Sequence, residues 1–203
     1  SLAAGHLCGI AAGGAAGYSC LSTPAKPGTP TRNPRLFMER IAVTGIGLVS
    51  CLGHALDEVS EALETGASGV ALDPERVERG FACSFTGTLP EFDAKASLSR
   101  RERRSMGEPA LYAGVAAVRA LEDAGLERHR LHGAHAGVIL GNDSVVSDAA
   151  RVIERTLSEG TTRNLGSRAV LDCMNSSPSI NLSVLLGTQG ACWTVSAACA
   201  SGA

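Results

Sequence analysis

The chain has 203 residues, the length of one ordinary domain, and a hydrophobic fraction of 44% can supply its core. With 3% aromatics against 24 glycines, that core must come from Ala, Val, Leu and Ile in close helix-on-sheet contact, which leans towards an α/β fold. A net charge of −2, from 18 basic and 20 acidic side chains, indicates neither a nucleic-acid footprint nor a strongly acidic tail, and no apolar run of about 18 residues is present to span a bilayer.

Residues 1–37 contain no Asp or Glu, only Lys26, Arg32 and Arg35 as basic side chains, and a Gly/Ala/Ser/Pro-rich texture ending in Pro27-Gly28-Thr29-Pro30-Thr31. Such a segment is expected to be a disordered lead: a transit-type extension, translated upstream sequence or a non-native remnant. Residues 38–203 are expected to form the folded unit. The location is then the cytoplasm, or an organelle matrix if residues 1–37 are a transit segment.

The folded part opens with Ile41-Ala42-Val43-Thr44-Gly45, which reads as a short buried strand with a tight exit through Gly45-Ile46-Gly47. The two glycines resemble the start of a dinucleotide loop, but Ser50 stands where the third glycine is required. Leu56, Val59 and Leu63 share one helical face, with Asp57, Glu58 and Glu61 turned outward, until Gly66 closes the helix. Residues 67–98 read as loops and short extended pieces broken at Pro74 and Pro90. The basic cluster Arg100-Arg101-Glu102-Arg103-Arg104 reads as a solvated helix start, or else as a patch for an acidic partner or a phosphate. Leu111, Val115, Val118 and Leu121, set among five alanines, predict a core helix that ends at Gly125.

Gly137-Val138-Ile139-Leu140-Gly141 predicts a second buried strand. Asn142-Asp143-Ser144 then starts a helix through Ala149, Val152, Ile153 and Leu157 to about Gly160. A further helix over Pro178–Leu186 precedes a turn at Gly187–Gly190 and a last strand over Ala191–Val195. Strand, helix and strand at crossover spacing imply a mostly parallel sheet with helices on both faces.

The seven cysteines form no close CxxC pair, so a reducing compartment is expected, with most thiols acting as small buried hydrophobes. His129, His132 and His135 have a spacing that invites a metal reading, but Gly133 and the turn around it favour a surface loop. No metal and no cofactor is expected. Cys173 and Met174 are expected as apolar lining or core.

Cys199 differs from the other thiols. The chain leaves the last strand at Ser196-Ala197, turns at Ala198-Cys199-Ala200 and is expected to start a helix near Ser201, with small residues on both sides of the thiol. A helix start favours thiolate over thiol. A nearby base would normally share that task, and no histidine of this chain is a persuasive candidate.

Thr194-Val195-Ser196-Ala197-Ala198-Cys199-Ala200-Ser201-Gly202-Ala203 resembles the active-cysteine segment of the elongating β-ketoacyl-acyl-carrier-protein synthases. Ile41–Ser50 followed by Leu52-Gly53 resembles their opening strand, and Gly66–Gly69, Ala120–Leu126 and Gly137–Gly141 fall in matching order. The resemblance implies a thiolase-like fold, here the amino-terminal half of a layered αβαβα architecture, and a homodimer at full length. It implies that Cys199 accepts an acyl group from an acyl carrier protein or coenzyme-A thioester and passes it to the carbanion of a decarboxylated malonyl thioester, in fatty-acid or polyketide synthesis. The backbone N–H of Cys199 would be one arm of the oxyanion hole.

The family's two histidines, lysine and second oxyanion donor belong to its later half and have no counterpart here. The chain alone is therefore expected to be inactive in condensation. Ala197 and Ala198 depart from the family at a place where Ser or Thr often precedes alanine. Cys199 itself argues against a non-acylating chain-length factor. The alternatives are a non-catalytic module with an inert buried thiol, and half of an enzyme completed by a partner.

Overall fold

The computed structural model describes residues 41–89 and 92–202, together with the backbone pairing of Cys8–Gly9. The lead expected over 1–37 otherwise lies outside the described residues, as does the break expected at Pro90. The strands are β1 (Cys8–Gly9), β2 (Ile46–Gly47), β3 (Val70–Leu72), β4 (Phe85–Gly87), β5 (Val138–Gly141) and β6 (Cys192–Val195). The helices are α1 (Leu56–Thr65), α2 (Pro74–Glu78), α3 (Arg100–Arg103), α4 (Glu108–Asp123), α5 (Val146–Glu159), α6 (Ala169–Asp172) and α7 (Ser177–Leu186). Short 3-10 turns cover Arg128–Leu131 and Ala198–Gly202.

The alanine-rich helix α4 is the spine of the molecule. Ala113, Val115, Ala116 and Ala117 are wholly buried, as the periodicity predicts, and Gly125 ends the helix region at φ 63°. One flank of α4 packs with Val49, Leu98 and Met106, and the other with Leu131, Val138, Leu140, Leu182 and Leu186. Each fully buried leucine contributes about 1.5–3 kcal/mol relative to exposure. The N-cap of α4 is Gly107, which has no side chain to offer. Asp148, reaching over from α5, supplies the missing acceptor: its Oδ2 lies 2.2 Å from where a Cβ on Gly107 would stand, and it takes the Glu108 N–H. Burial pushes the Asp148 carboxyl above its ordinary value, with the Arg151 guanidinium 3.0 Å away opposing the shift.

Alanine on α4 also explains the glycine pair of the opening segment. A Cβ on Gly45 would stand 2.2 Å from the Ala120 carbonyl oxygen, and one on Gly47 1.9 Å from that of Ala116. The glycines let this segment lie directly against the α4 backbone. The buried strand expected over 41–45 is not formed. Its backbone has no strand partner among the described residues, and Ile41 and Val43 are exposed at 82% and 73%.

Residues 67–98 contain the expected short extended pieces, β3 and β4, and beyond expectation the short helix α2. β3 and β4 pair antiparallel, with Leu72 opposite Phe85. Pro74 starts α2 where a break is expected, because Asp73 caps the N–H groups of Glu75 and Arg76 and a proline at the first helical position gives up no bond. The basic cluster is indeed a helix start, capped by the reciprocal pair Ser99 and Glu102. α5 begins two residues later than Ser144, whose hydroxyl accepts the Val146 N–H, and it ends at Gly160.

Glu102 also binds Arg128 at 2.6 Å. Burial pushes its carboxyl up, but the hydrogen bonds of Ser99 and the Arg128 guanidinium outweigh burial and hold it below the ordinary value of 4.5. A carboxyl lowered by folding contributes stability above its unfolded pKa and loses it as pH falls through the folded one. Glu102→Gln is therefore expected to flatten the loss of stability below pH 4.5, read from urea midpoints between about pH 3 and pH 7. A variant whose midpoints track the wild type throughout would remove Glu102 from the acid response.

β5 and β6 pair in parallel, Val138 opposite Cys192 through Gly141 opposite Val195. α7 packs against both strands, and Val138 and Leu140 point into the core. The opposite face of β5 is not buried: Ile139 and its partner Trp193 are exposed at 62% and 63%. The sheets formed by the described residues are two-stranded, two of them antiparallel, so the extended parallel sheet implied by strand spacing is represented by the β5–β6 pair. Cys51 is half-buried, while Cys83, Cys173, Cys192 and Cys199 are exposed, so the expectation of mostly buried thiols fails. Cys173 and Met174, just after the short helix α6, likewise lie at the surface rather than in the core.

Candidate functional site

In open α/β sheets, chemistry gathers where neighbouring parallel strands release the chain at their carboxyl ends. Here that place is the end of the β5–β6 pair. The register closes with Gly141 opposite Val195, and the Asn142 N–H donates to the Val195 carbonyl at 3.0 Å. The loop after β5 is held from below. The buried Asn142 amide donates to the Asn175 carbonyl at 2.9 Å, and the Asn175 amide returns a bond to the Asp143 carbonyl at 3.2 Å. From the β6 side the Ser196 hydroxyl donates to the Asp143 carboxylate. Under β6, Ser179 of α7 donates to the Ser176 carbonyl at 2.9 Å and is in turn hydrogen-bonded to Thr194.

The chain then makes its elbow. Among the described residues Ala198 is the non-glycine residue with a positive φ, at 47°, and Cys199 follows it within the 3-10 turn Ala198–Gly202. The Ala200 N–H donates to the Ala197 carbonyl at 3.0 Å. The Ser201 hydroxyl accepts the Ala197 N–H and donates to the Ala198 carbonyl, both at 2.8 Å. Gly141 leaves room for this turn, since a Cβ there would stand 1.9 Å from the Ser201 carbonyl oxygen. Cys199 is exposed, so its thiol is open to an incoming group. The expected helix start near Ser201 is instead this tight turn, which already begins at Ala198.

The histidines among the described residues have other neighbours. His129 pairs with Glu127 at 2.8 Å, His135 bonds the Arg130 carbonyl at 2.9 Å, and His132 packs beside Gly187. His54 lies edge-on to Phe92, with ring centroids 6.1 Å apart. A cleft of about 630 Å³ opens beside it, lined by Gly47, Leu48, His54, Glu58, Arg119 and Asp123. Arg119 donates there to the carbonyls of Leu48 and His54 at 2.9 and 2.8 Å, so its guanidinium fastens the loop after β2. No elbow residue lines that cleft. Among the described residues, no cluster of His, Cys, Asp and Glu could hold a metal, and no helix is long and apolar enough to cross a membrane.

Asp143, Asn175, Ser196 and Ser201 are the residues that sequence reasoning did not single out. Polar side chains just past the ends of two adjacent parallel strands were the available signal.

An α/β chain that carries a small-residue elbow and an exposed thiol at the end of a parallel strand pair defines the general class. The model of the β-ketoacyl synthase N-terminal domain matches residues 38–203. The chain therefore belongs to the β-ketoacyl synthase family, and its fold is thiolase-like. It is 31% identical to 3-oxoacyl-[acyl-carrier-protein] synthase 1 of Haemophilus influenzae over 82% of its own length and 41% of that protein. It is 28% identical to 3-oxoacyl-[acyl-carrier-protein] synthase 2 of Vibrio cholerae over 80% of its length and 39% of the relative. The chain thus spans about two fifths of the curated relatives it matches. A β-ketoacyl synthase from Burkholderia phymatum superposes with a TM-score of 0.58 at 26% identity, covering 73% of this chain and 37% of that one. The ishigamide ketosynthase/chain length factor has a TM-score of 0.66 at 24% identity, over 75% and 38% of the two chains, a likeness of fold.

Proposed function

We propose that this chain carries the acyl-accepting half-site of a β-ketoacyl-acyl-carrier-protein synthase, with Cys199 as the nucleophile. The observation that carries the reading is the exposed thiol on a tight elbow at the end of the parallel pair, within the stretch that the family model matches. The Cys199 thiolate attacks the carbonyl carbon of an acyl thioester on a carrier protein or coenzyme A, and its N–H takes part of the charge that grows on the carbonyl oxygen. Collapse of the tetrahedral adduct expels the carrier thiolate, which takes up a proton, and leaves the acyl group on sulfur. The family's second step is a decarboxylative Claisen condensation with a malonyl thioester. It needs histidines that the described elbow does not supply, so the 203-residue chain is inactive in condensation by itself. The full-length enzyme works as a homodimer in the cytoplasm, in fatty-acid or polyketide synthesis. The catalytic domain is residues 38–203, and residues 1–37 precede it, with Cys8–Gly9 paired to β2.

The test is peptide mass spectrometry of the full-length protein after incubation with an acyl thioester. An acyl adduct on the peptide that contains Cys199 is expected. Adducts on other cysteines alone, or none at all, would sink the proposal.

A further inference from the structure

We propose that Ser201 is a positioning residue whose hydroxyl aims the Cys199 N–H at the oxygen of the attacked carbonyl. The inference rests on the reading of Cys199 as the acyl acceptor. It starts from the backbone of Ala198, whose φ of 47° lies in the left-handed region that side chains other than glycine's avoid. Alanine does not hold that conformation by preference, so a neighbour must. The Ser201 hydroxyl has one proton to give and lone pairs to receive with, and it uses both kinds of capacity here. It accepts from the Ala197 N–H and donates to the Ala198 carbonyl, each at 2.8 Å. These two contacts lie on either side of the Ala197–Ala198 pair and clamp its dihedrals.

The second contact has a consequence for the nucleophile. The Ala198 carbonyl and the Cys199 N–H belong to one peptide unit, which is planar, and in a trans unit they point in opposite directions. Holding the carbonyl in towards Ser201 therefore turns the Cys199 N–H outward, away from the clamp. Ser201 itself is anchored. Its carbonyl backs onto Gly141, where any Cβ would collide at 1.9 Å, so the clamp stands on the end of β5 rather than on the turn alone. Asp143 adds the brace on Ser196, one residue before the clamped pair. An oxyanion donor is effective only when fixed in advance at the place where charge appears, and this arrangement fixes one.

Two reactions of the same thiol separate the idea from a general structural role. Acylation develops a negative oxygen and needs the N–H, whereas alkylation by iodoacetamide is a displacement at carbon that develops none. In the full-length protein, Ser201→Ala is expected to slow single-turnover acylation about tenfold, less than the roughly 10²–10³ lost when a donor is removed outright. The half-saturating acyl-thioester concentration and the rate of Cys199 alkylation should stay within about twofold of wild type. Ser201→Thr, which keeps the hydroxyl, should restore acylation. Should the alanine variant not fold, the isosteric pair Ser201→Thr and Ser201→Val makes the same comparison. Equal slowing of both reactions, or acylation unchanged in Ser201→Ala, overturns the proposal while leaving Cys199 as the acceptor. A wild-type protein that is alkylated at Cys199 but never acylated there overturns the underlying reading, and this inference with it.

Discussion

With Cys199 as the proposed acyl acceptor, Cys199→Ala is expected to abolish acyl transfer to the protein and to lower the proposed condensation activity of the full-length enzyme by at least about 10³-fold, the scale on which a lost covalent nucleophile is felt. Stability should move by no more than about 0.5 kcal/mol, because Cys199 is exposed and alanine fits wherever cysteine does. The substitution therefore separates chemistry from folding, which a substitution in the core would not. Cys199→Ser sharpens the comparison. It keeps the shape and a hydroxyl, but an alcohol ionises far less readily than a thiol, so the same elbow and the same N–H should give almost no acyl-enzyme. Acyl adducts followed by intact mass, beside melting curves of the three proteins, check both halves of the expectation. Persistent labelling of the alanine variant would make another residue the acceptor.

What could be read in the residues depended on how locally each feature was encoded. α4 was legible because its apolar positions recur at helical spacing and because a run of alanines has both high propensity and the small volume that a buried helix needs. The β5 and β6 segments were legible as short extended runs that follow Gly137 and Gly190, and the elbow was legible from Ala197 to Gly202 as a stretch of small residues. Pro74 was misread because proline has two opposite meanings, a break inside a helix and a favourable first residue, and Asp73 decides between them. Ile41 and Val43 form no strand because β structure needs a partner, and a partner strand is not a local property. The polar bracket around the elbow was illegible for the same reason. Asp143 and Ser196 are 53 positions apart in sequence, and only the parallel register of β5 with β6 brings them together.

Gly47→Ala tests how much of the fold hangs on the contact between β2 and α4, and it is expected to cost about 3 kcal/mol, at or beyond the upper end for overpacking. The added Cβ would stand 1.9 Å from the Ala116 carbonyl oxygen and 2.5 Å from the Ala120 nitrogen. Both are backbone atoms of a buried helix, so no rotamer change can make room, as it could for the tip of a long side chain. Either β2 lifts off or α4 moves, and α4 is packed on its other flank against α7, the helix beneath β5 and β6. A loss of that size is a large share of the roughly 5–15 kcal/mol that holds a domain folded. Gly166→Ala is the matched control. A Cβ there meets nothing within 4 Å and the residue has no positive φ, so the same chemical change should be neutral or stabilise by up to about 1 kcal/mol through the unfolded chain. Urea midpoints of the two variants decide the matter. If Gly47→Ala were as stable as Gly166→Ala, β2 would not be seated on α4, and the glycine pair Gly45 and Gly47 would need another explanation than close packing.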